Sequence, residues 1–522
     1  MNEADNYIIG MDIGTTNTKA MLMSQHGDII ASASRKNHLI VPGPNMAEEN
    51  ADEWWQNARD VFREISAKAG RDVIEHVRAL SISSQTVTML PVDRNGRPLR
   101  NALIWMDVRS SKEMHEISDK VTHSRFTEIT GGQPDAGFLP NKILWFRRNE
   151  PELFAKTYKI LQCSSYINFK LTGVYSMDVD QANRSQCMEV HTLNWSKEIG
   201  DAVGVDFDEL LPKPSLTTEI IGQVTRSAAE ETGLTEGIPV VAGCSDAAAS
   251  VFATGLCRQG DAAESSGTSS LVFVASPVRG DLSLPVTTRP CAIPGVPYVF
   301  DAPISTSGAA VKWYLDAMGQ EEKDYAKQMG IDPYTALNQV AEAVPAGSNG
   351  VLFFPYLMGE RAPLWNSHAK GMFIGMSLST EHADFTRAMF EGTAFALRHV
   401  MTEISHAGGH AKSLRITGGG AKSREWSRIK SSMLRMPVYV LDDKSGDVPF
   451  GDILIAGHAV GLFPDIPAAV DEILKVKEII EPNEQWADIY DQVYPYYISL
   501  YKDLDEDLRC YKDTVNALNL HR

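Results

Sequence analysis

Twice in this chain an apolar run breaks at a short turn of glycine and hydroxyl residues and resumes at once as a second run. The first instance is YIIGMDIGTTNTKAMLMS, residues 7–24, and the second is DAAESSGTSSLVFV, residues 261–274. Aliphatic runs interrupted in this way are hairpins, because Gly, Asn, Thr and Ser suit the tight turn that β-branched residues resist. A further turn at 25–28 leads into a third strand-like stretch, so the first hairpin extends into a β-meander. Two such beginnings in one chain predict duplicated halves meeting near residue 256. A chain of 522 residues is long enough for two large α/β lobes. The expected domains are therefore 1–255 and 256–522.

Between the hairpins, strands alternate with helices. Trp54, Ala58, Val61, Phe62 and Ile65 fall on one face of a helix over 52–68. A strand is expected near 78–84, an Asn95-Gly96 turn after it, and the run ALIW at 102–105. Residues 110–235 are mixed and helical, interrupted by Pro134, Pro140, Pro212 and Pro214, and read as an insertion or cap. IPVVAGCSD at 238–246 is a buried strand with an acid at its far end. SLRITGGG at 413–420 runs from a strand into glycines and then into a helix, AKSREWSRIKSSML.

The net charge of −18 argues against a nucleic-acid binder, which needs clustered Lys and Arg. The 43% apolar and 22% charged content excludes a disordered chain. Six cysteines lie far apart with no CxxC pair and read as reduced core residues. Nowhere do 18 apolar residues run together. A cytoplasmic enzyme is the expectation.

Three segments can carry phosphate chemistry. In DIGTTNTK, Thr15, Thr16, Asn17 and Lys19 bring backbone N–H groups, hydroxyls and an ammonium into one small space, and Asp12 beside them can hold Mg²⁺ through water. A plain hairpin turn accounts for the same residues equally well. SSGTSS, with Gly267 and Thr268, repeats this chemistry, so a nucleotide's phosphates can lie against both turns. In TGGGAKS, Gly418, Gly419 and Gly420 let a flat group approach the backbone, with Lys422 following. Ala421 stands where a Walker A loop needs glycine. No GxGxxG opens a βαβ unit, which leaves a dinucleotide oxidoreductase without support.

In this order and separation the three segments resemble the phosphate 1, phosphate 2 and adenosine motifs of the ribonuclease H-like ATPases: actin, the heat-shock chaperone ATPases and sugar kinases. GMFIGMSLSTEHADFTRAMFEG at 371–392 is similar to the C-terminal signature of the FGGY carbohydrate kinases. FPYLMGERAPLWN at 354–366, WMDVRS at 105–110 and GCSDAAAS at 243–250 resemble that family too, on its xylulokinase and gluconokinase branch. The resemblance implies an α/β protein of two actin-like lobes with a nucleotide and sugar cleft between them. The N-terminal lobe would hold the sugar and the first phosphate turn, the C-terminal lobe the second turn and the adenosine. It implies ATP and Mg²⁺, and Asp246 as catalytic base. The residues alone weigh Asp246 evenly between a reactive acid at a strand end and a helix N-cap.

For the sugar, Trp105, Asp107 and Arg109 would line one wall if their segment is extended. Read without the family, they are a surface ion pair beside a packed Trp. Gln85 matches a glutamine that xylulokinases follow with Met-His, and here Thr86 and Val87 replace that pair, leaving the sugar open. His406 and His410 lack a third ligand and predict no metal site. Phe390, Ala394, Leu397, Met401 and Ile404 form a helical stripe that belongs to a core. Arg361 either takes part in catalysis or stitches a loop. The expected activity is transfer of the γ-phosphoryl group of ATP to a small sugar, a ketopentose such as xylulose in the first instance. Gluconate or another sugar acid or polyol is the alternative, and an ATPase without sugar the remote one. The expected partner is a small-molecule sugar, with no nucleic acid and no membrane, and a homodimer left open.

Overall fold

The first hairpin forms where its turn residues place it. Strand β1 (Tyr7–Ile13) pairs antiparallel with β2 (Asn17–Ser24), Asp12 opposite Lys19, and β3 (Ile29–Lys36) completes the meander. Strand β4 (Val77–Ser84) lies parallel to β1, with Asp12 opposite Ser83. At the far edge β5 (Ile220–Gln223) runs antiparallel to β6 (Pro239–Val241), which is itself parallel to β4, giving the order β5–β6–β4–β1–β2–β3. These facts come from a computed structural model, which describes residues 5–281, 283–291, 294–442 and 447–517.

The chain forms two compact units. The first comprises Met1–Cys257, Arg289–Pro297 and Lys444–Leu474, the second Arg258–Thr288, Tyr298–Asp443 and Lys475–Arg522. The sequence predicts one lobe beyond 255, whereas residues 447–474 sit with the first unit. The reason is close packing. The helix Val448–Ala459 lies so near β1 that a Cβ on Gly10 would meet the Pro449 carbonyl oxygen at 2.0 Å, and so near the helix Asp246–Ala253 that one on Gly451 would meet the Ala249 carbonyl oxygen at 2.0 Å. Only glycine permits such an approach.

The helix Ala51–Ala69 buries Trp54, Ala58, Val61, Phe62 and Ile65, as its periodicity predicts, in a core shared with Tyr166, Ile167 and Leu171 of the helix Cys163–Thr172. Asn50 caps it by accepting from the Asp52 N–H at 3.0 Å. The region read as a cap has a core of its own, with Ile117, Phe126, Leu139, Phe146, Met188 and Trp195 at its centre.

The second unit repeats the arrangement. Strands β7 (Asp261–Ser266), β8 (Ser270–Ser276) and β9 (Tyr298–Ile304) form its meander. Strand β10 (Ser413–Thr417) is parallel to β7, β11 (Val438–Leu441) parallel to β10, and β12 (Val476–Ile480) antiparallel at the edge. The neighbour order β9–β8–β7–β10–β11–β12 matches β3–β2–β1–β4–β6–β5 of the first unit, and a seventh strand, Thr287–Pro290, is added beside β9. The stripe Phe390, Ala394, Leu397, Met401 and Ile404 is buried along the helix His382–His406.

Three local expectations need correction. The helix expected from Ala421 begins at Arg424, because Ser423 caps it (Trp426 N–H to Ser423 Oγ 3.1 Å) and Gly419–Lys422 form a 3₁₀ turn instead. The stretch after Ala102–Leu103 is not extended: the Asp107 N–H returns to the Ile104 carbonyl at 3.0 Å, so side chains 105, 107 and 109 do not share one face. Cys163, Cys187, Cys244 and Cys257 are buried, but Cys510 is exposed on the long helix Glu484–Ala517.

Candidate active site

In the first unit, β1, β4 and β6 are parallel, so their carboxyl ends open on the same side, the usual address of reactive groups in α/β sheets. Asp12 is the next-to-last residue of β1, Gln85 follows β4 directly, and Asp246 lies beyond β6 where Ser84 bridges to Ser245. Asp246 is the first residue of the helix Asp246–Ala253. The capping task falls on Ser245, whose Oγ accepts from the Ala248 N–H at 3.1 Å. This frees the Asp246 carboxylate, which accepts only from the Ala247 N–H at 2.7 Å among the described contacts. Burial pushes its pKa up to about 6, with the Ala247 N–H and Arg184 pulling the other way. Such a carboxylate is ionised at neutral pH yet close enough to it to take a proton.

Asp12 is buried, and burial together with the nearby charges of Asp246 and Asp447 raises its pKa to about 8 against the pull of Lys19 and Ser83. Lys19 is itself ion-paired with Asp447, the residue before the helix Val448–Ala459. Behind Asp12 the Ser83 hydroxyl donates to Asp452 at 2.7 Å, and burial holds that carboxyl well above the usual range. A desolvated carboxyl raised by a second carboxylate is short of a cation. The donor set of Asp12 and Asp246 is hard oxygen, which suits Mg²⁺. No three His, Cys, Asp or Glu among the described residues surround a common point, so an ion here would complete its shell with water and phosphate oxygens.

The turn after β1 spends some of its donors internally. The Gly14 N–H donates to the Asn17 carbonyl at 3.0 Å. Thr15 Oγ1 accepts from the Trp105 indole at 3.0 Å and donates to Gln85 Oε1 at 3.2 Å. Gln85 Nε2 in turn donates to Glu49 at 2.7 Å, as does the Trp54 indole at 2.6 Å. Burial pushes Glu49 up to about 7. Thr16 is exposed at the tip of the turn. Trp105, 51% exposed, thus stands beside the Thr15 hydroxyl, with the buried Gln85 behind it: an apolar ring with a hydrogen-bonding group at its edge. Such a pairing accommodates a polyol.

Asp107 and Arg109 lie elsewhere. Asp107 is fully buried, accepts from the Ala47 N–H at 2.7 Å and from Arg109 Nε at 2.9 Å, and Arg109 reaches on to Glu48 at 2.8 Å. The guanidinium also lies over the Trp145 ring, 5.0 Å from its centroid. The pair braces the loop from beneath while Trp105 alone of the three faces outward.

The second unit has its own cavity of about 1110 Å³. Gly267 and Thr268 of the β7–β8 turn line it together with Gly419, Gly420, Lys422 and Trp426. The turn is braced against the helix Gly308–Ala317: the Gly308 N–H donates to the Gly267 carbonyl at 3.0 Å and the Ala309 N–H to that of Thr268 at 2.9 Å. Gly418, at φ +86°, packs its α-carbon where a Cβ would come within 2.7 Å of the Ser266 carbonyl oxygen, whereas one on Gly419 would meet no protein atom within 4 Å. Beneath the turn, Lys430 is paired with Glu264 at 2.7 Å, both buried, and Ser270 donates to Glu264 at 2.7 Å. A glycine-edged cavity with a braced hydroxyl turn and an aromatic side chain in its lining can take a base and its phosphates. Arg361 stitches its loop to the end of β9, donating to the Ser305 hydroxyl and the Ile304 carbonyl, each at 3.3 Å. His406 pairs with Glu403 at 3.3 Å.

Glu49, Asp447, Asp452 and Lys430 carry no sign in the sequence of the contacts they make. Each sits in an ordinary local pattern and gains its role from a partner distant in the chain, so no local signal marks it.

Two family models cover most of the chain. The FGGY family of carbohydrate kinases, N-terminal domain, matches residues 7–253, and the C-terminal domain of the same family matches 262–460. A xylulose kinase of Lactococcus lactis is 29% identical over 504 residues, covering 96% of this chain and 97% of that protein. A gluconokinase of Bacillus subtilis is 29% identical over 527 residues, covering 99% of each. The crystal structure of xylulose kinase from Rhodospirillum rubrum superposes with a TM-score of 0.88 at 28% identity, over 96% of this chain and 100% of that one. With both domain models matched in order along the chain and the doubled sheet to carry them, this protein belongs to the FGGY family of carbohydrate kinases, ATP-dependent phosphotransferases that act on a sugar hydroxyl.

Proposed function

We propose that this sugar kinase phosphorylates a neutral ketopentose such as xylulose, with the first unit holding the sugar and the second the nucleotide. The observation that carries the reading is the convergence, at the carboxyl ends of β1, β4 and β6, of Asp12, the Thr15–Gln85–Trp105 ladder and an Asp246 freed from capping by Ser245. Trp105 stacks on the sugar and Gln85 orients its hydroxyls. Asp107 and Arg109 shape that loop from behind. Asp246 takes the proton of the attacking hydroxyl as the oxygen–phosphorus bond forms and the bond from the γ-phosphorus to the β–γ bridging oxygen of ATP breaks. Gly267 and Thr268 receive the nucleotide's phosphates, Gly418, Gly419, Gly420 and Lys422 border its adenosine, and Thr16, Asn17 and Lys19 face the transferred group. Asp12 would hold Mg²⁺, which supplies charge neutralisation for the phosphates.

A neutral sugar fits better than a sugar acid, because Arg109 is already paired with Asp107 and Glu48, and Lys142 with two backbone carbonyls. The gluconokinase of equal identity favours the second reading, a sugar acid. ADP release with xylulose, ribulose, glycerol and gluconate as acceptors separates the two. Turnover of xylulose or ribulose well above gluconate is expected, and a preference for gluconate would overturn the neutral-sugar reading. ATP turnover that needs no acceptor would overturn the wider one.

A further inference from the structure

A buried lysine lies beneath the loops that carry Gln85 and Trp105 and makes no ion pair within 4 Å among the described contacts. Lys142, on the helix Leu139–Asn149, is fully buried in the first unit. Its Nζ donates to the carbonyl of Val87 at 2.9 Å and to that of Ile104 at 2.7 Å. Val87 is two residues beyond Gln85, and Ile104 immediately precedes Trp105.

Val87 is held in an unusual state. Its φ is +58°, in the left-handed region that a β-branched residue rarely enters. Something must keep it there. On one side the Thr88 N–H donates to Gln162 Oε1 at 2.7 Å, and on the other the Val87 carbonyl receives the Lys142 ammonium. The two segments pair through the backbone at Met89 and Leu103 (2.8 and 3.1 Å), and beyond that bridge they are joined from outside by the Thr15 hydroxyl between Trp105 and Gln85 and from beneath by Lys142 between the Val87 and Ile104 carbonyls.

We propose that Lys142 is a positioning residue of the sugar kinase reaction, whose ammonium sets the spacing of Gln85 and Trp105 by binding the Val87 and Ile104 carbonyls together and thereby governs affinity for the acceptor sugar. This rests on the reading of Gln85 and Trp105 as acceptor contacts. Burying a lysine is costly: desolvation pulls Lys142 down to about 7, with Asp107 and Asp135 partly opposing it. An aliphatic side chain would fill the same space without that cost, so the cation has a task that packing does not explain.

The test compares Lys142→Met, Lys142→Gln and each combined with Val87→Gly, in the full-length enzyme with MgATP and the best wild-type acceptor among xylulose, ribulose, glycerol and gluconate. Lys142→Met should raise the KM for the sugar roughly tenfold or more while the KM for ATP stays within about twofold, since misplacement falls on the acceptor alone. Lys142→Gln, which keeps amide donors, should lose less. Val87→Gly should restore part of the affinity lost in either variant, because glycine adopts a positive φ without restraint. A purely structural lysine would lower the melting temperature and the active fraction and leave both KM values unchanged. If Lys142→Met fails to fold, Lys142→Gln with and without Val87→Gly gives the same comparison. An unchanged sugar KM in a folded variant, equal effects on both KM values, or no recovery with Val87→Gly would overturn the proposal. A wild-type enzyme that turns over no sugar in the set would refute the functional reading itself, and with it any acceptor for Lys142 to position.

Discussion

At the scale of single residues, the chemistry turns on which carboxylates are free. Asp246 is free because Ser245 caps its helix, and as the proposed base its pKa near 6 should set the acidic limb of kcat/KM, with activity expected to rise as pH increases through that value. Asp246→Asn should keep the fold and lose turnover by about 10²-fold or more, since an amide cannot accept the hydroxyl proton. ADP release alongside a thermal melt checks this, and activity within a few-fold of wild type would remove Asp246 from the mechanism. Gly267 gives the corresponding test for the nucleotide. It is not held at positive φ, and a Cβ there would meet only the Ser269 carbonyl oxygen, at 3.5 Å. Gly267→Val should therefore fold normally and obstruct only what enters the cavity, raising the KM for ATP about tenfold, equivalent to roughly 1.4 kcal/mol. Calorimetry showing unchanged ATP affinity would place the phosphates elsewhere.

At the scale of elements, the first unit depends on two close contacts of one helix. The helix Val448–Ala459 brings Asp447 and Asp452 up to β1 and β4 because Gly10 has no side chain to meet Pro449, while Gly451 lets the same helix close on Ala249 of the helix Asp246–Ala253. Gly10→Ala puts a methyl group 2.0 Å from a carbonyl oxygen, and that atom belongs to backbone that cannot swing aside. Overpacking of this kind costs about 1–3 kcal/mol or more. A lower urea midpoint is expected, together with weaker activity as the Lys19–Asp447 pair is displaced. An unchanged midpoint would mean that the helix shifts freely, against the packing described here.

At the scale of the whole molecule, a chain of net charge −18 gathers buried acids around the ends of β1 and β4. Asp12 has a folded pKa of about 8 against an ordinary 3.8. Between those values the folded state holds a proton that the unfolded state releases, so this group lowers stability as pH rises, by up to about 1.4 kcal/mol per pH unit for a whole proton. Asp12→Asn removes the titration. Its stability relative to wild type should grow from pH 5 to pH 8 in urea unfolding without nucleotide or magnesium, and a difference constant with pH would refute the raised pKa.

Much was legible from the amino-acid order alone: both hairpins, the helix over Ala51–Ala69, the buried stripe of His382–His406 and the family signature. Each is set by neighbours within a few residues, through turn chemistry, side-chain periodicity or a contiguous motif. Asp12, Gln85 and Asp246 were legible as candidates for a related reason, since they stand just where local patterns change from strand to turn or helix. What only the tertiary structure decided is where side chains go when partners distant in sequence compete for them. Asp107 turned inward to Arg109 and Ala47, leaving Trp105 as the outward member of its motif. Residues 447–474 joined the first unit because Gly10 and Gly451 let a helix close on β1 and on the helix Asp246–Ala253. Lys142 and Val87 became a pair because a buried ammonium must find acceptors and the nearest were carbonyls of two loops. Burial and long-range pairing set those outcomes, and neither has a period or a spacing to be read along a chain.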